Sequence, residues 1–237
     1  MPGYGFYGLY WDPTMLLLIP GILLAMWAQS RVKGTFKKYA GVPSRRGWSG
    51  AVAARQILDK AGLEDVSVER AHGHLSDHYD PKRKAVCLSD SVFSSSSLSA
   101  LGVAAHEAGH AMQHAERYAP IGLRNAVAPI ARIGSYAAWP LLILGMVLAL
   151  PVLINLGIVV FSAAVVFQFL TLPVEYNASS RALAVLEEGN YLDADEIPQT
   201  KKVLSAAAMT YLASALMAVL QLARLLLLTR SNRRRRY

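Results

Sequence analysis

The sequence predicts a mainly α-helical membrane protein that carries a small water-soluble α+β part. Three observations lead there. Hydrophobic residues make up 54% of the 237 and are gathered into long uncharged runs, with the charged 17% between them. Basic clusters, "RVKGTFKKYAGVPSRR" and "RSNRRRRY", directly follow the first and the last run. Residues 48 to about 120 have a different character, with short periodic segments and turn signals typical of a chain folded in water. The net charge of +8 therefore points to membrane orientation and anionic head groups, and excludes nucleic acid as a partner. The single cysteine, Cys87, excludes an internal disulfide and a cysteine metal cluster, and reads as a small apolar filler.

Residues 13–29, "PTMLLLIPGILLAMWAQ", carry no charge and suit one transmembrane helix, with Tyr10, Trp11 and Trp27 as interfacial anchors. The basic residues follow this run instead of preceding it, and no small-x-small site ends it, so it is not a cleavable signal. Arg31, Lys33, Lys37, Lys38, Arg45 and Arg46 then place residues 30–130 in the cytoplasm and the N-terminus outside. Within that part, "SGAVAARQILDKAGLEDV" predicts a helix capped by Ser49 and closed by Gly62. "VSVERAHGHLSDHYDP" and "KRKAVCLSDSVF" predict a small hairpin or sheet with its turn at Asp80-Pro81. "SSSSLSALGVAAHEAGHAMQHAE" predicts a helix capped by a serine and broken before Pro120.

Residues 133–174 are too long for one span and right for a transmembrane helical hairpin, with Pro151 and Asn155 marking its turn. Residues 175–202 hold a further helix and an acidic connector, and 203–229 form a last apolar helix before the basic tail, 230–237. Four spans would leave that tail outside, against the positive-inside rule. Either the last helix does not cross, lying along the bilayer or packing on the soluble part, or the chain breaks the rule there.

The chemistry is concentrated in "LGVAAHEAGHAMQHAE", a His-Glu-x-x-His (HExxH) pattern. On a helix, His106 and His110 project from one face and can converge on one metal ion, with Glu107 beside them to take a proton from a metal-activated water. Gly109 leaves room for another element or a substrate. His114 is one turn further, but three turn-spaced side chains on a straight helix do not wrap a tetrahedral ion, so it reads as a supporting or surface histidine. Glu175 is the better third ligand. It lies where a long apolar helix leaves the membrane, and Ala178 and Ser179 share its face, as a helix packing tightly on the histidine helix requires.

The pieces "LSDHYDP", "VCLSDSVF", "AAHEAGHAMQH", "TLPVEYNASSRAL" and "VLSAAAMTYLASAL" cover most of residues 70 to 220. Through them the chain resembles the YugP-like neutral zinc metallopeptidases, membrane-associated proteins of bacteria and archaea distantly similar to HtpX-type and Ste24-type proteases. The resemblance implies a gluzincin-like domain, with His106, His110 and Glu175 holding Zn2+ and Glu107 as catalytic base. Ser179 stands where the broader group often has aspartate. In a gluzincin the strand before the zinc helix often offers its edge to an extended substrate, and "AVCLS" is placed to do so.

Other residues are less telling. His72, His74 and His78 could share a strand face and a second metal, but their turn-like neighbours favour solvated loop histidines; His78 and Asp80 could brace the cleft. Tyr118, Tyr176, Asn177 and Arg181 are candidate oxyanion donors, with Arg181 read first as an ion-pair partner for an acid such as Asp80. "LEEGNYLDADEI" lacks a calcium-loop spacing and reads as a solvated connector. The expected function is zinc-dependent hydrolysis of peptide bonds in unfolded or membrane-associated proteins, by a multi-pass protein of the cell inner (plasma) membrane whose active site faces the cytoplasm. A non-enzymatic membrane scaffold or chaperone-like protein with a structural metal site is the alternative, and the Glu107 beside the ligands argues against it. A transporter is the remote third reading, because the histidines lie outside the spans.

Overall fold

A computed structural model describes residues 13–73 and 76–234, with side chains as far as Thr229. The anchors Tyr10 and Trp11, His74 and the side chains of the basic tail lie outside the described residues. A 3-10 turn, Pro13–Leu18, leads into α1 (Ile19–Ala40), followed by α2 (Gly50–Lys60), β1 (Ser67–Ala71), β2 (His78–Asp80) and β3 (Ala85–Ser89). Helices α3 (Asp90–Phe93), α4 (Leu98–Ala115), α5 (Ala119–Val147), α6 (Pro151–Glu188) and α7 (Ile197–Arg234) complete the chain. Among the described residues, four helical stretches, Pro13–Ala40, Ala119–Val147, Pro151–Glu188 and Ile197–Thr229, are long and apolar enough to cross a membrane. The rest is a small mixed α/β region, so the architecture is that of a membrane protein with a soluble domain.

Two compact units emerge. The first takes residues up to Trp27, Leu123–Thr171 and Tyr211 onward. Its described core is Leu142, Ile158 and Leu225, with Ile154, Phe161 and Leu222 against them. Glycines let α5 and α6 run close: a Cβ at Gly134 would sit 2.7 Å from the Val160 carbonyl oxygen, and one at Gly157 2.9 Å from Leu142. The turn between them is Leu148 to Leu150, with Ala149 at φ 55° and Pro151 opening α6 at a position where its missing N–H costs nothing. Asn155, expected in the turn, is inside α6. The two helices also run beyond the expected hairpin: α5 starts at Ala119, and α6 continues to Glu188 without a break at residue 174.

The second unit takes Ala28–Gly122 and Leu172–Thr210. Its core gathers Leu58 from α2, Val86 and Leu88 from β3, Leu98 and Leu101 from α4, and Leu186 with Tyr191 from the end of α6 and the connector. Helix α2 begins as expected, with the Ser49 hydroxyl accepting from the Val52 N–H at 3.3 Å, and Gly62 at φ 72° follows its end. The sheet has three strands in the order β1-β3-β2. β1 runs parallel to β3, Val68 opposite Val86, and β2 antiparallel to it, His78 opposite Cys87.

This order corrects one expectation. "AVCLS" is β3, the central strand, with all five residues buried; β1 covers one of its edges from Ala85 to Ser89, and β2 covers the other from Ala85 to Cys87. Its unbroken apolar run, instead of alternation, is what a strand covered on both faces requires. The free edges belong to β1 and β2. The acidic connector also has partners of its own: Asp195 pairs with Arg45 at 2.7 Å, Asp193 with Arg46 at 3.1 Å, and Glu196 accepts the Arg45 N–H at 3.0 Å. Arg45 and Arg46, read from the sequence as membrane-orienting charges, therefore tie the segment after α1 to the connector just before α7.

Candidate metal centre

Helix α4 carries the His-Glu-x-x-His residues. The Ser97 hydroxyl accepts from the Ala100 N–H at 3.2 Å, capping a helix whose alanines and leucines are buried from Leu98 to Ala111. Gly109 is where α6 crosses it. A Cβ there would meet the Ala178 carbonyl oxygen at 2.9 Å and the Ala178 Cα at 3.4 Å, so only glycine lets the two backbones approach this closely. The close approach puts Glu175 of α6 over the two histidines. Its Oε2 lies 3.3 Å from His106 Nε2 and 3.6 Å from His110 Nε2. The three residues present one donor atom each within 4.8 Å of one another, the only such group of three among the described residues. Their side chains are 14%, 11% and 4% exposed, so the cluster is sheltered but still reached from outside at the histidine side.

The donor set fits a zinc ion. Two imidazoles and one carboxylate are a catalytic zinc set, three ligands with a fourth position open. Both histidines also have their other ring nitrogen engaged: Ser179 Oγ is 3.2 Å from His106 Nδ1, and Gln113 Oε1 is 3.0 Å from His110 Nδ1. That leaves both Nε2 atoms directed at the shared point, the orientation that metal-binding histidines are normally held in. Burial disfavours charge on His110, yet the Glu175 and Glu107 carboxylates beside it raise its pKa. Glu107 itself is buried, 8% exposed.

The comparisons with known proteins bear on this geometry. A family model described as "Putative neutral zinc metallopeptidase" matches residues 14–230. The chain belongs to that family. It is also 47% identical over 220 residues to a Bacillus subtilis (strain 168) protein named "Putative membrane protease YugP", a match that spans 92% of this chain and 97% of the relative. No solved structure matches. Family and cluster together make the protein a zinc metallopeptidase, a hydrolase, and bear out the resemblance read from its motifs.

Within this family member the remaining candidates fall into place. His114 is not among the converging donors; its Nδ1 lies 3.4 Å from the Tyr79 hydroxyl on β2, with the rings 5.9 Å apart. His72 and His78 are exposed, and His78 Nδ1 is 2.7 Å from the Ser76 carbonyl oxygen. Asp80 accepts the Lys82 and Arg83 backbone N–H groups in the turn before β3, which holds its carboxyl below the usual range. Arg181 therefore pairs elsewhere than expected: its two terminal nitrogens each lie 2.7 Å from a Glu116 oxygen, and its Nε donates to Asn177 Oδ1 at 2.8 Å. The Arg181 bond holds the Glu116 carboxyl below its ordinary value. Tyr176 is half exposed. Gln113 is the residue that the sequence reading passed over. Fully buried at the end of the motif, three residues after His110, it was legible only as a polar residue in an otherwise apolar stripe.

Proposed function

We propose that His106, His110 and Glu175 hold one zinc ion, and that Glu107 is the general base of a membrane-associated endopeptidase. The observation that carries this reading is the meeting of Glu175 with both motif histidines across two helices, with three donors and no fourth protein ligand among the described residues. A structural zinc site is closed by four ligands, whereas an open position is what hydrolysis uses. When bound, zinc supplies Lewis acidity and lets water attack a carbonyl at neutral pH. Glu107, next to His106 on the same helix turn, accepts the proton from the attacking water and returns it to the leaving amine. Ser179 and Gln113 keep the imidazoles aimed, and the low exposure of Glu175 keeps its carboxylate from being solvated away from the ion.

The substrates in this reading are unfolded or membrane-associated proteins, in keeping with the "membrane protease" in the relative's name. The basic residues Arg31, Lys33, Lys37 and Lys38, in the second half of α1 beyond its apolar run, support a cytoplasmic site in a multi-pass protein of the plasma membrane. The test is zinc content and cleavage of an unfolded protein substrate by the full chain and its variants. Glu107→Gln should keep zinc and lose cleavage by about 100-fold or more. Glu175→Ala should lose zinc, and His114→Ala should keep it. Cleavage at the parent rate by Glu107→Gln would sink the mechanism.

A further inference from the structure

We infer that Gln113 is a positioning residue that sets which nitrogen of His110 carries the proton, and ties that histidine to the backbone beside Glu175. The inference rests on the reading of His110 as a zinc ligand. The orientation of an amide side chain and the tautomer of an imidazole are normally matters of assignment. Here the partners decide both.

The Gln113 side chain is fully buried and touches three groups: His110 Nδ1 at 3.0 Å, the Val174 carbonyl oxygen at 2.8 Å and Asn177 Oδ1 at 2.9 Å. A backbone carbonyl can only accept, so the amide nitrogen of Gln113 must face Val174. Asn177 agrees. Arg181 Nε, which can only donate, lies 2.8 Å from Asn177 Oδ1, so that oxygen faces Gln113 as well and needs a donor there. With its nitrogen committed to Val174 and Asn177, Gln113 offers its oxygen to His110. His110 Nδ1 then carries a proton and donates it. The Nε2 lone pair is left bare, 3.6 Å from Glu175 Oε2, at the point where the three donors converge.

The chain of bonds runs on past the site. His110 Nδ1–H donates to Gln113, Gln113 to Asn177, and Arg181 to both Asn177 and Glu116. Gln113 and Glu116 lie on or just after α4, and Asn177 and Arg181 on α6. The bond from Gln113 to the Val174 carbonyl reaches the residue immediately before Glu175. One side chain thus orients one ligand and fixes the helix that brings another.

The test uses the full-length protein in detergent and zinc competition against a chelator. Gln113→Leu, similar in volume but unable to accept from His110, should weaken zinc binding about 10- to 100-fold. Gln113→Glu keeps an acceptor for His110 and should recover most of that loss, although it gives up both donor bonds. A purely structural role predicts instead that the two variants lose zinc equally. His110→Ala separates the inference from the reading beneath it: if it binds zinc like the parent, the ligand assignment fails. If His110→Ala loses zinc while Gln113→Leu binds like the parent, the assignment stands and the inference is overturned. A variant that does not fold leaves a second measurement, on the unmodified protein. Nitrogen-15 histidine spectra of the zinc-loaded chain should show His110 protonated at Nδ1; a proton on Nε2 would overturn the inference.

Discussion

Single residues at this site have few alternatives, because most of their polar atoms are committed. Arg181 shows how a side chain read as a candidate catalytic donor becomes structural: Glu116 and Asn177 take three of its N–H directions. Its pairing with Glu116 has a consequence with pH. The folded Glu116 carboxyl is held below its ordinary value of 4.5, so the pair contributes stability above that pH and loses it as pH falls through the lowered value. Thermal unfolding of Glu116→Gln should therefore vary less steeply with acid below pH 4.5 than the parent does. The difference should be small, because the Glu116 side chain is 56% exposed and solvent screens the pair. A steeper acid limb in the variant would contradict the assignment.

At the scale of elements, the site is a helix crossing. Glu175 is sixty-odd residues from the motif in sequence and reaches it only because Gly109 lets α4 and α6 touch backbone to backbone. The neighbour is main chain, which cannot swing aside as a flexible side chain would. Gly109→Ala should therefore cost about 1–3 kcal/mol by overpacking, despite alanine's better helix propensity. The same variant should bind zinc more weakly, since separating the helices moves Glu175 from the histidines. Thermal unfolding and zinc competition check the two effects, and a variant more stable than the parent with unchanged zinc affinity would refute the crossing argument. The strands teach the complementary lesson. β3 and its antiparallel pairing with β2 across the Asp80-Pro81 turn were legible in sequence, but the parallel pairing of β1 on its other side was not, because strand order depends on which other segment supplies the pairing and not on the strand's own residues.

For the molecule as a whole, the proposed zinc ion would link a local site to global stability. In the proposed site His106 and His110 come from the middle of the chain and Glu175 from α6, so the ion would bind only when α4 and α6 are assembled. Binding to the folded chain alone raises stability by about 2.7 kcal/mol when free zinc is 100 times its dissociation constant. Chelation should lower the unfolding temperature of the parent and of Glu107→Gln by the same amount, and leave Glu175→Ala unchanged. An equal response in Glu175→Ala would place the ion elsewhere.

Much of this was present in the sequence alone. The apolar runs, the capped helices at Ser49 and at the serine before Leu98, the motif histidines and the glutamate at the end of a span all follow from periodicity, capping and ligand chemistry, which act over a few residues. The motifs also carried the family. What only the tertiary structure decided was pairing at a distance: β3 between β1 and β2, Arg181 on Glu116 instead of Asp80, the acidic connector on Arg45 and Arg46, and Gln113 between His110 and Val174. The physical reason is the same in each case. A polar group states in sequence that it needs a partner, but which partner is in reach depends on how separate elements pack.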